Sequence, residues 1–377
     1  MYNYMGDCAP VMLSNQLPNS SESAPEVVNP QKEFYFQWHI TDKCNLRCEH
    51  CYQDDYSQSS ELPLEDLKEI ARKIEFTLEK WGKEGRIGVT GGEPFVRKDL
   101  FDFLEFLEHQ PHITKIGILS NGTLIKENIE SIKKLTKLHY IQLSIEGTRE
   151  TNDGIRGKGI FDKVIETTQL LKSENVPVRW MVTLHKKNAA DVAGVIDLAL
   201  ENKVDTLTFE RLVPEGSGKS FADYILSTAE LEKVFSYIVK RSDAEFAKGS
   251  PLAILKLRTL WVLCDPQRAE NSVGCLPLEK EVGASCSIGI DSLSILPDAT
   301  VLPCRRLPIP IGNLKNESLF KIWYTSKVLW DIRNKKNIKG KCNNCEYIPR
   351  CGGCRATAYA LTGDYLAEDP QCWKKTT

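Results

Sequence analysis

Three cysteines, Cys44, Cys48 and Cys51, fall within eight positions of the stretch TDKCNLRCEHCYQ, with no fourth cysteine nearby. Three thiolates can hold a metal centre and leave one coordination position free. A structural zinc takes four protein ligands. The spacing therefore leaves three readings: a catalytic zinc with three thiolates, a [4Fe–4S] cluster with one non-cysteine iron, or plain core cysteines.

A second group of thiols lies far along the chain. Of thirteen cysteines, nine fall between Cys264 and Cys372, and none lies between Cys51 and Cys264. The later group runs Cys264, Cys275, Cys286, Cys304, then Cys342-x2-Cys345-x5-Cys351-x2-Cys354, then Cys372. Two Cys-x2-Cys pairs taken alone could hold one zinc. Disulfides are rare in the cytosol, so clustered thiols in an unsecreted chain point to metal binding or redox chemistry. Cys8 stands apart and reads as an exposed free thiol.

The elements between the two groups must position them. FYFQWHIT (34–41), RIGVT (86–90), KIGILS (115–120), YIQLSI (140–145), VRWMVTL (178–184) and TLTFER (206–211) read as strands. Amphipathic stretches of helical period separate them, at 62–81, 98–109, 125–135, 160–173 and 189–202. Strand–helix alternation with short connections predicts parallel strands with crossover helices. Six units fit an incomplete barrel better than a closed eight-fold one, with chemistry at the C-terminal strand ends. The cysteine trio follows strand one at that end. TGGEP (90–94) follows strand two on the same rim. Its adjacent glycines permit close backbone approach by a ligand, although alone it is an ordinary turn. After residue 220 the pattern changes: 226–241 reads as helical, SLSILPDATVLPC as short strands and turns, and 317–333 as one more helix.

The chain has 377 residues, 41% hydrophobic and 27% charged, with a formal net charge of −2. Those values fit a large domain plus a smaller one. They exclude a general nucleic-acid binder, which carries a basic excess. No apolar run of membrane-spanning length and no signal peptide is present, so no membrane partner and a cytoplasmic location are expected. The expected division is a poorly ordered lead-in over 1–31, rich in Ser, Asn, Pro and Gln, a partial barrel over 32–220, a helical bridge over 221–274 and a Cys-rich domain over 275–377.

Cys-x3-Cys-x2-Cys after strand one, with Gly-Gly-Glu-Pro after strand two and Tyr52 beside the last cysteine, resembles the radical S-adenosylmethionine (SAM) superfamily over roughly residues 34–213. The resemblance implies an α/β fold, a partial (β/α)6 TIM-type barrel. It implies that Cys44, Cys48 and Cys51 bind three irons of a [4Fe–4S] cluster while SAM chelates the fourth. A reduced cluster then cleaves SAM to methionine and a 5′-deoxyadenosyl radical, which abstracts a substrate hydrogen. By the same resemblance Gly91, Gly92, Glu93 and Pro94 meet the SAM amino group. Ser120, Asn121, Ser144 and Arg156 stand where ribose and carboxylate contacts fall. An arginine suits a carboxylate through its planar fork; the alternative is that Arg156 pairs with a local acid such as Asp153. Leu207 and Phe209 could flank the adenine or pack the core. His39 and His50 read as structural, and no residue is singled out as a catalytic acid or base.

The C-terminal region, with LPDATVLPC, IGNL and CGGCRATAYALTGDYLAEDPQC, resembles a SPASM domain, which implies two auxiliary [4Fe–4S] clusters. Ala299 stands where the motif usually has glycine, and the third gap of the quartet is two residues rather than three. The resemblance assigns Cys342, Cys345, Cys351 and Cys372 to an outer cluster and Cys286, Cys304 and Cys354 to an inner one. The inner fourth ligand is left among Cys275, then Cys264, then an open iron. SPASM proteins mostly act on peptides and proteins. The leading expectation is therefore a thioether or C–C crosslink in a ribosomally made peptide. The implied partners are a reducing donor such as flavodoxin or ferredoxin and a separate leader-peptide-binding protein. Runners-up are tetrapyrrole side-chain decarboxylases of haem synthesis, which share the CGGCRA style of C-terminus, and sulfatase-maturing enzymes. The latter place Asp directly after the cysteine aligned with Cys304, where this chain has Arg305. A non-catalytic iron–sulfur electron carrier is the reading from another class.

Overall fold

The computed structural model describes residues 33–57, 61–271, 286–348 and 351–375. The expected lead-in with Cys8, and Cys275, lie outside the described residues. Six strands follow the predicted order: β1 (Glu33–His39), β2 (Glu84–Thr90), β3 (Ile113–Ser120), β4 (Leu138–Ser144), β5 (Val178–Leu184) and β6 (Thr206–Arg211). Between them run α1 (Leu64–Trp81), α2 (Leu100–Glu108), α3 (Ile129–Ile132), α4 (Arg149–Arg156), α5 (Ile160–Ser173) and α6 (Val192–Glu201). Each strand pairs in parallel with the next.

Beyond the barrel come α7 (Thr228–Ala247), β7 (Ala253–Leu255) and α8 (Pro266–Asn271). They are followed by β8 (Ser292–Ile295), β9 (Thr300–Leu302), β10 (Gly312–Asn313), α9 (Leu319–Thr325), α10 (Lys327–Arg333) and α11 (Arg355–Thr362). One ten-stranded sheet runs β10-β9-β8-β1-β2-β3-β4-β5-β6-β7. β7 adds a parallel strand to β6, β8 runs parallel to β1, and β9 and β10 close the edge antiparallel. The sheet therefore crosses the expected division of the chain, and it stays open between β7 and β10, as a partial barrel does.

The two-residue period of the strands sorts the barrel wall. Phe34, Phe36 and Trp38 of β1 belong to the main core. Trp38 meets Phe103 of α2 with ring centroids 5.0 Å apart, and Phe34 meets Trp81 of α1 at 5.3 Å. The alternate residues face the barrel axis. Tyr35 and Tyr140 fit there because strands β2 and β3 carry glycine opposite them. A Cβ on Gly88 would lie 2.4 Å from the Tyr35 hydroxyl, and one on Gly117 2.6 Å from the Tyr140 ring.

The helices form where the apolar spacing is strong. α1 buries Leu67, Ile70, Ala71, Ile74, Thr77 and Leu78, carries Glu65 and Asp66 in its first turn, and stops at Gly82 with φ +61°. Acidic residues there oppose the helix dipole, and the left-handed glycine ends the helix. Each buried Leu or Ile contributes about 1.5–3 kcal/mol.

Three expectations need correction. The helix expected over 125–135 is a 3-10 turn and one α turn, because only Ile132 of α3 is buried. The helix expected over 317–333 is two, broken at Ser326, whose hydroxyl caps α10 by accepting from Leu329 N–H at 3.3 Å. The bridge expected as helix over 221–274 is helical over 228–247 and again over 266–271, with β7 between them.

Candidate metal centres

The cysteine loop leaves β1 and is pinned by the next strand end. Gly92 N–H donates to Thr41 O at 2.9 Å and Glu93 N–H to Lys43 O at 2.7 Å. A Cβ on Gly92 would stand 2.2 Å from Lys43 O, and one on Gly91 2.4 Å from Thr41 O. The glycine pair thus admits the cysteine loop itself; what approaches closely is protein backbone. Pro94 opens a 3-10 turn capped by Glu93. The Glu93 carboxylate is wholly buried and accepts from Ser120 Oγ at 2.9 Å, Asn121 N–H at 2.7 Å and Phe95 N–H at 3.2 Å. Burial raises its pKa to about 7 against the lowering effect of those bonds. Asn121 continues the chain of contacts, donating to Asn45 Oδ1 at 2.8 Å beside Cys44. The structure thus brings Gly91, Gly92, Glu93, Pro94, Ser120 and Asn121 together as a latch on the loop.

Arg156, at the end of α4, does pair with an acid, but with Glu146 and not Asp153. Its Nε lies 3.1 Å from Glu146 Oε1, which its Nη2 also meets. Asp153 instead accepts from Gly159 N–H at 2.7 Å and Phe161 N–H at 2.8 Å at the start of α5. Glu146 also receives His50 Nε2 at 3.0 Å and Thr183 N–H at 2.9 Å. Burial raises its pKa, but His50 and Arg156 outweigh burial and bring it down to about 2. Held in this way, Arg156 presents Nη1 to Cys48 Sγ at 3.7 Å. Sequence reading missed Glu146, which lies in the quoted LSIEG, because a single buried acid carries no spacing signal.

The remaining positions divide. Ser144 is half-buried at the end of β4. Leu207 is fully buried in the main core with Phe209. The β6 residues that face inward are Thr208 and Glu210, so strand period puts Leu207 on the helix side, away from any adenine in the barrel. Tyr52 turns its ring inward, between His39 and Arg305. A cavity of about 430 Å³ opens beside the loop, with Cys48, Tyr56, Lys187 and Phe221 in its lining.

The thiols suit the group the sequence implies. Burial pushes Cys44 up to about 11 and raises Cys48, where Arg156 opposes it. Without metal these thiols stay protonated, and ligation would replace the protons. The Cys44 thiol lies within electrostatic reach of Cys48 and Cys51, as a cubane in which three irons each take one thiolate requires.

At the C-terminus the cysteines fall into two neighbourhoods. Cys286, Cys304 and Cys354 pack on a small apolar cluster of Val213, Ile288, Leu307, Ile332 and Ala356. Cys351 and Cys372 belong with the main core, and Cys342 lies within electrostatic reach of Cys345 and Cys372. Cys264 also packs on the main core, where its side chain bonds Ser236 and its charged neighbours are Glu232 and Asp265.

Two cations sit among these thiols, one of them, Arg355, also within electrostatic reach of Asp364. Arg355 is 2% exposed. Its Nη1 donates to Tyr365 O at 3.0 Å and Ala367 O at 2.6 Å, yet its Nε and Nη2 are buried without partners. Lys335 loses basicity by burial, and its charged neighbours are Cys286, Arg355, Cys351 and Cys342. Cations held beside thiols fit thiolate-held clusters of negative charge.

A cationic chamber separates the thiol regions. Arg86 and Lys115 share Glu33, at 2.7 and 2.9 Å. Arg258 and Arg306 share Glu210, each at 3.0 Å. Arg179 stacks on Tyr140 at 3.8 Å and Arg305 on Tyr52 at 4.5 Å. Six cations thus face two firm carboxylates. A third, Asp291, is pushed by burial up to about 6. Arg258 also lies within electrostatic reach of Cys286 and Cys304.

Two family models match the chain: the radical SAM superfamily over residues 38–199 and the SPASM iron–sulfur cluster-binding domain over 286–346. An AdoMet-dependent heme synthase of Methanosarcina barkeri is 28% identical, covering 89% of this chain and 95% of its own. An Fe-coproporphyrin III synthase of the same organism is 29% identical, covering 96% and 90%. Among solved structures, Streptococcus suis SuiB bound to S-adenosylmethionine superposes with a TM-score of 0.70 at 19% identity, covering 91% of this chain and 78% of that one. SuiB is also solved with its precursor peptide SuiA.

Proposed function

We propose that this chain, a radical SAM enzyme with a SPASM domain that holds a SAM-binding [4Fe–4S] cluster and auxiliary clusters, acts on carboxylate side chains of a haem-pathway tetrapyrrole. The observation that carries this reading is the nearly full-length likeness to enzymes named for haem and Fe-coproporphyrin III synthesis. The chamber supports it physically. A surplus of cations in a confined space attracts a polyanion and disfavours a neutral ligand, and tetrapyrroles of haem synthesis carry several carboxylates.

When bound, the SAM-binding cluster and SAM supply a carbon radical able to take a hydrogen atom from substrate. The protein's own residues position and shield. Cys44, Cys48 and Cys51 would hold that cluster, with Arg156 against Cys48 and the Glu93–Ser120–Asn121 latch fixing the loop. Loss of one hydrogen atom and carbon dioxide from a propionate leaves a vinyl group and one surplus electron. Cys286, Cys304 and Cys354 would hold the group that accepts that electron, next to the chamber.

The sulfatase-type reading is weakened further. Arg305 faces the barrel, where that chemistry needs a carboxylate base, and a guanidinium cannot accept the proton. The peptide-crosslinking reading stands second, on the fold shared with SuiB. The test is direct. Anaerobically reconstituted protein, SAM and a flavodoxin or dithionite reductant are incubated with iron-coproporphyrin III and analysed by mass spectrometry. Loss of carbon dioxide with matching 5′-deoxyadenosine is expected. An unchanged porphyrin, with a crosslink in a small cysteine-rich peptide instead, would replace this reading with the second.

A further inference from the structure

Arg305 and Arg306 are neighbours with different fates. Arg306 is consumed by structure: it donates to Glu210 at 3.0 Å and to Arg211 O at 3.2 Å. Arg305 has no acid among the described residues. Its guanidinium lies over the Tyr52 ring, 4.5 Å from the centroid, and its Nε is buried without a partner. His39 meets the same ring edge-on, 5.7 Å between centroids. It is 2% exposed, and its Nε2 also lacks a partner. An unpartnered buried polar group is destabilising, so two around one ring mark a place kept for a ligand. Tyr52 follows Cys51 and Arg305 follows Cys304. A ligand gripped here spans the gap between the two thiol regions.

We propose that Arg305 and His39 form a carboxylate-binding subsite that grips one acidic side chain of the substrate and fixes which of its groups faces the cysteine loop. The inference rests on the tetrapyrrole reading and names the residues that select its substrate. A guanidinium gives two parallel N–H bonds to a carboxylate, and a neutral imidazole adds one. Burial and the Arg305 charge hold His39 well below its ordinary pKa. At neutral pH it serves as a hydrogen-bond donor, not a second cation.

The test compares affinities of the anaerobic, iron-loaded protein for three probes: iron-coproporphyrin III, its tetramethyl ester, and benzene tetracarboxylate. The first two are followed by absorbance and the third by calorimetry. Wild type should prefer the acid over the ester by about ten- to a hundred-fold, the worth of a charge-assisted contact. Arg305→Ala should erase most of that preference and Arg305→Lys part of it, each with wild-type iron content. Should Arg305→Ala fail to load iron, Arg305→Lys and His39→Phe carry the comparison. An undiminished acid preference in iron-loaded variants overturns the subsite. Benzene tetracarboxylate binding that depends on Arg305, with no porphyrin binding by wild type, sinks the tetrapyrrole reading and leaves the subsite standing. Wild type that binds neither acid overturns both.

Discussion

The two thiol regions are held in opposite ways. Around Cys44, Cys48 and Cys51, every support is protein: strand ends, a glycine pair, and buried acids satisfied by named donors. Around Cys286–Cys372 the regular elements are short, one apolar cluster has five buried members, and Arg355 and Lys335 stand beside thiols. The first region is preformed by the barrel. The second has less regular structure and gathers cations beside its thiols, with the buried Arg211–Asp369 pair, whose carboxylate accepts from Cys354 N–H at 2.8 Å, as its main polar support. A site that meets a replaceable cofactor needs a rigid frame, whereas permanent clusters can be part of the frame.

The largest expected effect breaks this comparison outright if it fails. Iron loading should reach about twelve atoms, and Cys44, Cys48 and Cys51 changed to Ala should lose about four. Chelating all iron should abolish hydrogen-exchange protection over 340–375 while β1 to β6 stay protected. Equal loss in both regions would mean that neither is preformed.

Next comes Glu146→Ala, which strands Arg156 and His50 in a buried place. Breaking a buried pair costs about 3–5 kcal/mol, read as a lower urea midpoint in the iron-free protein. A loss below that range would place the strength of the first region elsewhere. The third effect is a pH slope. The folded state holds the Glu93 proton up to about 7, whereas the unfolded chain releases it near the ordinary carboxyl value. The stabilisation is full below that ordinary value and is lost as pH rises through 7, about 2–3 kcal/mol in all between pH 5 and 8. Glu93→Gln should flatten the slope in iron-free protein, and an unchanged slope assigns it to another group. The smallest effect sharpens the comparison. Gly92→Ala forces a Cβ against Lys43 O, worth about 1–3 kcal/mol. Iron should fall in the first region only, as measured by Mössbauer spectroscopy.

The sequence carried the barrel because its period is strong: α5 and β5 fall where the apolar pattern puts them. It did not carry α4, whose RETNDGIR has one buried apolar residue, Ile155, and which is held by Asp153 accepting from Gly159 and Phe161 N–H and by Arg156 reaching Glu146 and Cys48. Nor did it carry β7, three residues long, which is a strand only because β6 offers an edge. The roles of single side chains were the least legible. The glycine pair reads as room for a ligand until the cysteine loop is seen lying against it. Leu207 reads as either an adenine flank or a core residue until the strand's period is fixed by its neighbours. Glu146 and Arg305 act through three-dimensional neighbours that no local spacing records.

The hairpin of β8 and β9 has a consequence beyond architecture. Trp38 of β1 pairs with Ile295 of β8, and from those partners one chain runs on to Cys44 and the other to Cys304. The ladder works as a ruler. A sliding or swinging joint between the two thiol regions would have to break it, so thermal motion has little purchase on the gap between them. Electron tunnelling falls off steeply with distance. Under the proposed function, a fixed gap would make electron transfer across it a matter of energy levels rather than of waiting for the two halves to meet.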